Sequence, residues 1–458
     1  MTTINYVILA AGKGTRMRSA KPKVLHKLAG RSMLHHVVAA VDALGDSKKI
    51  IVTGHGAALV EEKFEKSDTL FVQQKEQLGT AHAVQMALPA ICDDAVVVVL
   101  YGDVPLILPA TIKRLLQVVG NKSIGLLTIA LDDPEGYGRI VRNSVGAITS
   151  IVEQKDASIE QLNINEINTG VLALSAKQLR EWLPKIDNNN AQGEYYLTDL
   201  IALAVDDDVT VISVHPETAA EVEGVNSRLQ LSQLERTFQR QLALRLMESG
   251  TTLADPARLD VRGELITGTD NFIDINCIFE GVVTMGSNVT IGPNCCITNS
   301  TIGDGVKIKA NTIIEESFVG DQAIVGPFAR LRPGTKLGCD TKVGNFVETK
   351  NAIVGDGSKI NHLSYVGDAQ LGENVNIGAG TITCNYDGVN KHKTLLGDDV
   401  FVGSNTTLVA PIQISQGGFV AAGSTVTTAV PADSLAVGRA KQRNIDGWKR
   451  PMKNNRDK

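Results

Sequence analysis

"FVGDQAIVGPFARLRPGTKLGCDTKVGN", residues 318–345, decides how the second half of this chain folds. Val319, Val325, Leu331, Leu337 and Val343 recur every six positions. The same step continues through Val354, Ile360 and Val366, then Leu371 and Ile377, and again through Leu396, Val402, Leu408, Ile414, Val420 and Val426. Neither the helical period near 3.6 nor the strand period of 2 gives this spacing. A hexapeptide repeat predicts a parallel β-helix: each six residues make one flat side, three sides make a rung, and the aliphatic side chain fills the interior. Glycine or another small residue after the aliphatic position fits the sharp corners. Stacked rungs also leave flat faces that favour assembly.

Between Ile377 and Leu396 the phase breaks over "IGAGTITCNYDGVNKHKTLL", so an excursion is expected to leave the prism over 378–395. "NYDG" at 385–388 is turn chemistry, and insertions of this kind often carry a solenoid's binding face.

Upstream the pattern differs. Short apolar runs at Tyr6–Leu9, Ile50–Thr53, Leu70–Gln73, Val96–Leu100, Ile124–Ala130, Ile148–Val152, Gly170–Leu174 and Val209–Val214 alternate with helical segments such as Ser32–Ala43 and Ala81–Leu88. Val96–Leu100 is nearly all Val and Leu, as a strand buried on both faces requires. This is an α/β domain with a mostly parallel sheet, whose ligands gather at strand carboxyl ends. Asn226–Gly250 keeps leucines near helical spacing and reads as a linking helix. The expected organisation is therefore 1–226, 227–250 and 251–458.

Composition agrees. Of 458 residues 43% are hydrophobic but only 4% aromatic, and 43 are glycine, which suits tight turns around thin aliphatic packing. A net charge of −5 gives no global basic field for nucleic acid. Six cysteines lack C-x2-C spacing, which argues against a zinc site and for free thiols in a reducing compartment. No basic leader or membrane-length apolar run is present, so a cytoplasmic protein is expected.

The first strand feeds "LAAGKGTRM", residues 9–17. It fails the Walker pattern, because Gly14 follows the only Gly-Lys there and no Gly stands five before Gly12. It fails G-x-G-x-x-G, because Met17 stands where Gly is needed. A glycine turn remains, with Lys13, Arg16, Lys21 and Lys23 nearby. These four cations suit a polyphosphate; a plain strand-to-helix turn with solvated charges fits the same residues. Asp103 in "LYGDVPL" lies just past the most buried strand and offers a carboxylate to Mg2+ beside substrate phosphates. His26 and His82 read as structural. In the repeat domain, His362 stands two residues after Ile360 with Tyr365 nearby, and Arg332 and Lys350 lie upstream. A histidine base suits acetyl transfer to an amine, since only the neutral amine attacks. A solvated surface histidine is the other reading.

Together "LAAGKGTRM", "PKVLH", "QLGTAHAV", "LYGDVPL", "GYGRI", "IVEQKDA", "INTGV" and "EYYLTD" resemble the sugar-nucleotide pyrophosphorylases. Followed by "GNFVETK", "NHLSYVGDA" and "NIGAGTITCNYDG", they resemble the family of bacterial bifunctional N-acetylglucosamine-1-phosphate uridylyltransferase/glucosamine-1-phosphate N-acetyltransferases over nearly the whole chain. The resemblance implies a Rossmann-like nucleotidyltransferase domain with a mixed, mostly parallel sheet, then a left-handed parallel β-helix assembling as a homotrimer with acetyl sites at subunit junctions.

It also implies site roles. Leu9, Ala10, Ala11, Gly12 and Lys23 contact the nucleotide UTP; Gln74, Gly79 and Thr80 read the uracil. Tyr101, Gly102 and Asp103 reach the ribose and the metal, and Asn226 joins Asp103 on Mg2+. Gly138, Glu153 and Asn168 bind the sugar, and Arg16 steadies the phosphates. In the second half His362 is the proton acceptor, while Arg332, Lys350, Tyr365 and Asn376 bind the acceptor's sugar phosphate. Ala379, Asn385, Tyr386, Ser404, Ala422 and Arg439 contact acetyl-CoA. The basic tail from Arg439 onward is either a disordered solvated end or a partner for the phosphates of CoA. Two other readings stand beside this one: a pyrophosphorylase whose β-helix only assembles or regulates, and a non-enzymatic scaffold that retains a nucleotide pocket.

Overall fold

A computed structural model describes residues 3–45, 47–64 and 68–452. The end of the basic tail, 453–458, lies outside them. The chain divides into two compact units, 1–241 and 242–458, with the division falling inside the helix Arg228–Glu248.

The first unit is built on one twisted sheet. Its strand order is Thr210–Val214, Ser123–Ala130, Glu166–Ser175, Val96–Tyr101, Ile4–Ala10, Lys48–Thr53 and Thr69–Gln73. All neighbours run parallel except Glu166–Ser175, which is antiparallel to both of its partners. Alternation along the first strand sends Val7 and Leu9 into the core on one face and Tyr6 and Ile8 into the core on the other. Both faces are covered, so the strand reads as an unbroken apolar run. Ser32 caps the helix Met33–Asp42 by accepting from His35 N at 3.3 Å. The hairpin Arg139–Arg142 and Ile148–Val152 packs off the main path. Its first strand, sitting in "GYGRIVR", has no apolar run and was not expected from the sequence.

The second unit is a parallel β-helix. Interior residues on one side pair as Ile308, Val325, Val343, Ile360 and Ile377, separated by 17 or 18 residues per rung. From Ile377 the next partner is Val402, 25 residues on, which measures the insertion. Every aliphatic residue of the six-step pattern quoted above is buried, the least so Val426 at 6% exposed.

Three details depart from the sequence reading. Thr349, between Val343 and Val354, and Thr383, inside the expected excursion, occupy interior positions that the aliphatic pattern did not include. Threonine has the shape of valine, and each hydroxyl is satisfied: Thr349 by Thr335 at 3.0 Å, Thr383 by donating to Gly367 O at 3.1 Å. The excursion is also narrower than 378–395, since Ile382–Cys384 still pairs with both neighbouring rungs. Finally, the corner glycines serve close stacking. A Cβ on Gly338 would lie 2.2 Å from Asp356 Oδ1, with no left-handed backbone required. The left-handed turn falls two residues later, on Asp340 with φ 56°, a residue type that tolerates it.

Candidate functional sites

At the carboxyl edge of the first unit's sheet lies a cavity of about 280 Å³. Leu9, Ala10, Ala11, Gly12 and Lys23 line it, with Gln74, Gly79, Thr80, Tyr101 and Asp103. These residues come from distant parts of the chain: Leu9, Ala10, Gln74, Tyr101 and Asp103 sit at or just beyond strand ends, Lys23 in the short turn Lys23–Leu25, and Gly79 and Thr80 at the start of the helix Thr80–Ala87. A Cβ on Gly12 would meet nothing within 4 Å, so open space lies over this backbone, as close approach of a phosphate needs. Gly14 does a different job. It has φ 59°, and a Cβ there would lie 2.7 Å from Lys23 Cβ, so the turn packs directly on the lysine segment.

The Lys23 ammonium contacts the Asp103 carboxylate and donates to Asn226 Oδ1 at 2.9 Å. Two oxygen donors separated by more than a hundred residues thus converge on one positive charge. This fits a divalent cation, which takes carboxylate and amide oxygens. No cluster of three His, Cys, Asp or Glu suited to a metal occurs among the described residues. A metal here would take its other ligands from water and substrate phosphates.

The loop "QLGTAHAV" is stitched to "EYYLTD". Tyr195 N donates to Leu78 O at 2.8 Å, Ala81 N to Tyr195 O at 3.0 Å, and Leu197 N to Thr80 Oγ1 at 3.0 Å. Gly79 has φ 119°, and a Cβ there would meet Tyr195 O at 2.4 Å. Gln74 donates to Gly79 O at 3.1 Å and meets His82 Nδ1 at 3.0 Å, which gives His82 a structural partner. His26 is buried, with Nε2 unpartnered and its pKa lowered by burial, Lys21 and Arg228.

The antiparallel strand brings Asn168 to the same edge as its neighbours' carboxyl ends. Asn168 N donates to Gly138 O at 2.9 Å, and a Cβ on Gly138 would lie 3.4 Å from Glu153 Oε1, so these three residues gather. Burial holds the Glu153 carboxyl above the usual glutamate range, opposed by a hydrogen bond from Thr198. Burial, Glu153 and Asp103 push the Tyr101 hydroxyl up. Gly102 N donates to Leu9 O at 2.9 Å, tying the two strand ends together. Arg16 is exposed in the short turn Thr15–Met17, outside the cavity lining. Gln77 and Glu194 line the cavity and were missed by the sequence reading, although both lie in the quoted motifs.

In the second unit the strand register makes one column. Val343, Ile360, Ile377, Val402 and Val420 pair in succession. Two residues beyond each stand Asn345, His362, Ala379, Ser404 and Ala422. Asn345 Oδ1 meets His362 Nδ1 at 2.7 Å. An amide oxygen only accepts, so in the neutral ring this contact favours the tautomer with the proton on Nδ1 and the lone pair on Nε2. Asn405 N donates to Ala379 O at 2.7 Å, Gly423 N to Ser404 O at 2.8 Å, and Arg439 to Ala422 O. Asn376 pairs with Lys359 and Phe401 in the same stack.

Beyond the corner at Leu363 lies a cationic group. Arg332 donates to Glu348 Oε1 at 2.7 Å, and Glu348 pairs with Tyr365. The Lys391 ammonium, and then Arg332, hold the Lys350 pKa below the ordinary lysine value. Lys391 comes from the excursion and was missed because nothing local marks it. Asn385 donates to Asp368, anchoring the excursion's root, and Tyr386 bridges to Lys391 across it.

The glycine loop, the mixed sheet and the strand-end cavity define a nucleotidyltransferase unit, continued in one chain by a parallel β-helix. Residues 6–155 match the MobA-like NTP transferase domain, and residues 261–345 the GMPPB C-terminal domain. The bifunctional protein GlmU of Marinobacter nauticus is 59% identical over 453 residues, covering 99% of this chain and all of that protein. GlmU of Pseudomonas putida strain KT2440 is 56% identical over 451 residues, and GlmU of Azoarcus sp. strain BH72 52% over 447; each covers 98% of this chain and 99% of the relative. The chain belongs to the bifunctional GlmU family.

Proposed function

We propose that the chain makes UDP-N-acetylglucosamine in two reactions. The β-helix unit acetylates glucosamine 1-phosphate with acetyl-CoA. The nucleotidyltransferase unit then joins N-acetylglucosamine 1-phosphate to the α-phosphate of UTP and releases pyrophosphate.

The observation that carries the first site is the convergence of Asp103 and Asn226 on Lys23 beside the glycine loop. The sugar phosphate already bears its nucleophilic oxygen, so transfer needs positioning and charge neutralisation and no general base. Gly12 and its neighbours hold the phosphates, with Arg16 and Lys23 adding charge. Gln74, Gly79 and Thr80 read the uracil; Tyr101 and Gly102 face the ribose; Gly138, Glu153 and Asn168 take the sugar. Asp103 and Asn226 would hold Mg2+, which when bound supplies charge neutralisation at the transferring phosphate.

At the second site, His362 Nε2 takes the proton from the sugar ammonium. The neutral amine then attacks the thioester carbon, a C–N bond forms, the C–S bond breaks, and the thiol leaves. Arg332, Lys350, Tyr365 and Asn376 hold the sugar phosphate, and Lys391 joins them. Ala379, Asn385, Tyr386, Ser404, Ala422 and Arg439 take acetyl-CoA along the column. Assembly as a cytoplasmic homotrimer is part of the proposal. Phe328, Phe346 and Leu363 support it: they form an exposed apolar ridge beside His362, each at φ 50–57°, where bulky residues are costly.

One assay tests both reactions: glucosamine 1-phosphate, acetyl-CoA, UTP and Mg2+ with the full chain, following free thiol and pyrophosphate separately. Both products are expected. Pyrophosphate from supplied N-acetylglucosamine 1-phosphate without any thiol release would reduce the chain to a single-reaction pyrophosphorylase.

A further inference from the structure

The helix Arg228–Glu248 starts beside the nucleotide cavity, and the residues at its start bind separate parts of that site. Val225 N donates to Asp103 O at 3.0 Å. Asn226 Oδ1 accepts from Lys23 Nζ at 2.9 Å. Arg228 Nε donates to Met17 O at 3.1 Å, across 211 positions of sequence. This last bond grips the short turn Thr15–Met17, which carries Arg16.

Both ends of the bond are held in place. Val225 and Leu234 are buried with Leu28, Met33 and Leu106, which fastens the helix start to the unit. Asn226 N donates to Gln230 Oε1 at 2.9 Å, and Gln230 N to Ser227 Oγ at 3.2 Å, so the backbone entering the helix is capped. On the other side, Met17 N donates to Gly14 O at 2.9 Å and Arg18 N to Thr15 O at 3.1 Å. Gly14 and Arg18 flank the turn in the left-handed region, with φ 59° and 48°. Glycine takes that backbone freely, whereas an arginine holds it only where the surroundings impose it. Met17 supplies the constraint twice, through its buried side chain and through the carbonyl that Arg228 holds. Arg16 is exposed and precedes that carbonyl by one residue, so the direction in which it leaves the turn follows from how the turn is held.

We propose that Arg228 is a positioning residue for uridylyl transfer: by holding Met17 O it aims Arg16 at the phosphates and ties the turn to Asn226 on its own segment. Arg16 adds charge at the phosphates and Asn226 holds Mg2+ in the function proposed above, on which this role rests. Aim matters because misplacing a reacting or stabilising group by about 1 Å can cost about a hundredfold in rate. The group that does the holding is Nε–H, and a neutral donor at the same place should hold the carbonyl as well.

The test compares Arg228→Gln with Arg228→Met in the full chain. The glutamine amide nitrogen lies as many bonds from Cα as Nε does, so it keeps the donor and drops the charge. Methionine has the same reach and no donor. Both residues suit an exposed first helical turn, so thermal midpoints should match. Arg228→Met should lose about tenfold or more in the kcat of uridylyl transfer, and Arg228→Gln should retain most of it. Trypsin should cut after Arg16 or Arg18 several times faster in Arg228→Met than in Arg228→Gln. In an Arg16→Ala background Arg228→Met should cost less than about twofold, since residues that act through one another are not additive. Equal activity of the two Arg228 variants, or the same loss with and without Arg16, overturns the role. The trypsin rates separate it from the function it rests on. Faster cleavage of Arg228→Met in a protein that transfers no UMP refutes the uridylyl reading and leaves the grip on the turn, whereas equal cleavage of both variants refutes the grip.

Discussion

Lys23 touches Asp103 and donates to Asn226 at 2.9 Å, so one ammonium ties the turn after the glycine loop to residues 80 and 203 positions away. The three groups are partly buried, and each depends on the others for charge or hydrogen-bond balance. Asp103→Asn keeps the shape but removes the anion. Uridylyl transfer should fall by about a hundredfold or more, the scale of losing one electrostatic element of a transition state. Acetyl transfer should be unchanged. Pyrophosphate release and thiol release, measured on one preparation, check both halves.

Gly12 and Gly14 are two residues apart and should respond differently to alanine. At Gly12 the added methyl enters open space, so thermal stability should hold while UTP binding and turnover collapse. At Gly14 the methyl meets Lys23 on a left-handed backbone, so the first unit should lose about 1 kcal/mol or more. Denaturant midpoints beside activity assays separate the two effects.

Asn345 should act through His362. Asn345→Ala leaves the ring free to turn and to change tautomer. Acetyl transfer should drop roughly ten- to a hundredfold, as when a ligand-orienting partner is lost. The loss should fall on kcat, with the KM for glucosamine 1-phosphate little changed, and uridylyl transfer should be untouched. A matching loss of both activities would mean unfolding rather than misorientation.

Lys391→Ala removes the ammonium that acts most strongly on Lys350. The KM for glucosamine 1-phosphate should rise while His362-dependent turnover at saturation persists. Steady-state kinetics with varied acceptor check this, and an unchanged KM would remove Lys391 from the phosphate group.

Acid stability should depend on Glu166. Arg142 grips it with two hydrogen bonds of 2.7 Å, and Thr128 adds a third at 2.8 Å. Hydrogen bonding from Arg142 holds this carboxyl below its ordinary value of 4.5. A depressed folded-state pKa contributes stability that is present above the unfolded value and is lost as pH falls through the folded one. Unfolding midpoints should therefore drop as pH falls below 4.5, and Glu166→Gln should flatten that part of the curve.

Elements whose pattern is local were readable from the order of residues. Side-chain alternation along Ile4–Ala10 and the six-step aliphatic repeat are written residue by residue, because the face that each side chain takes follows from a short regular step along the chain. The glycine loop, Asp103 and His362 stood out as candidates from residue type and neighbours, which left a plain turn and a solvated histidine open beside them. What lay across elements needed the tertiary structure. Strand direction is set by packing, and the reversal of Glu166–Ser175 is what carries Asn168 to the nucleotide edge. Thr349 and Thr383 are buried by their rungs, not by their own polarity. Asn345 reaches His362 because parallel rungs stack residues 17 positions apart, and Lys391 reaches Lys350 because the excursion folds back. The meeting of Lys23, Asp103 and Asn226 likewise exists only once separate segments close on one another.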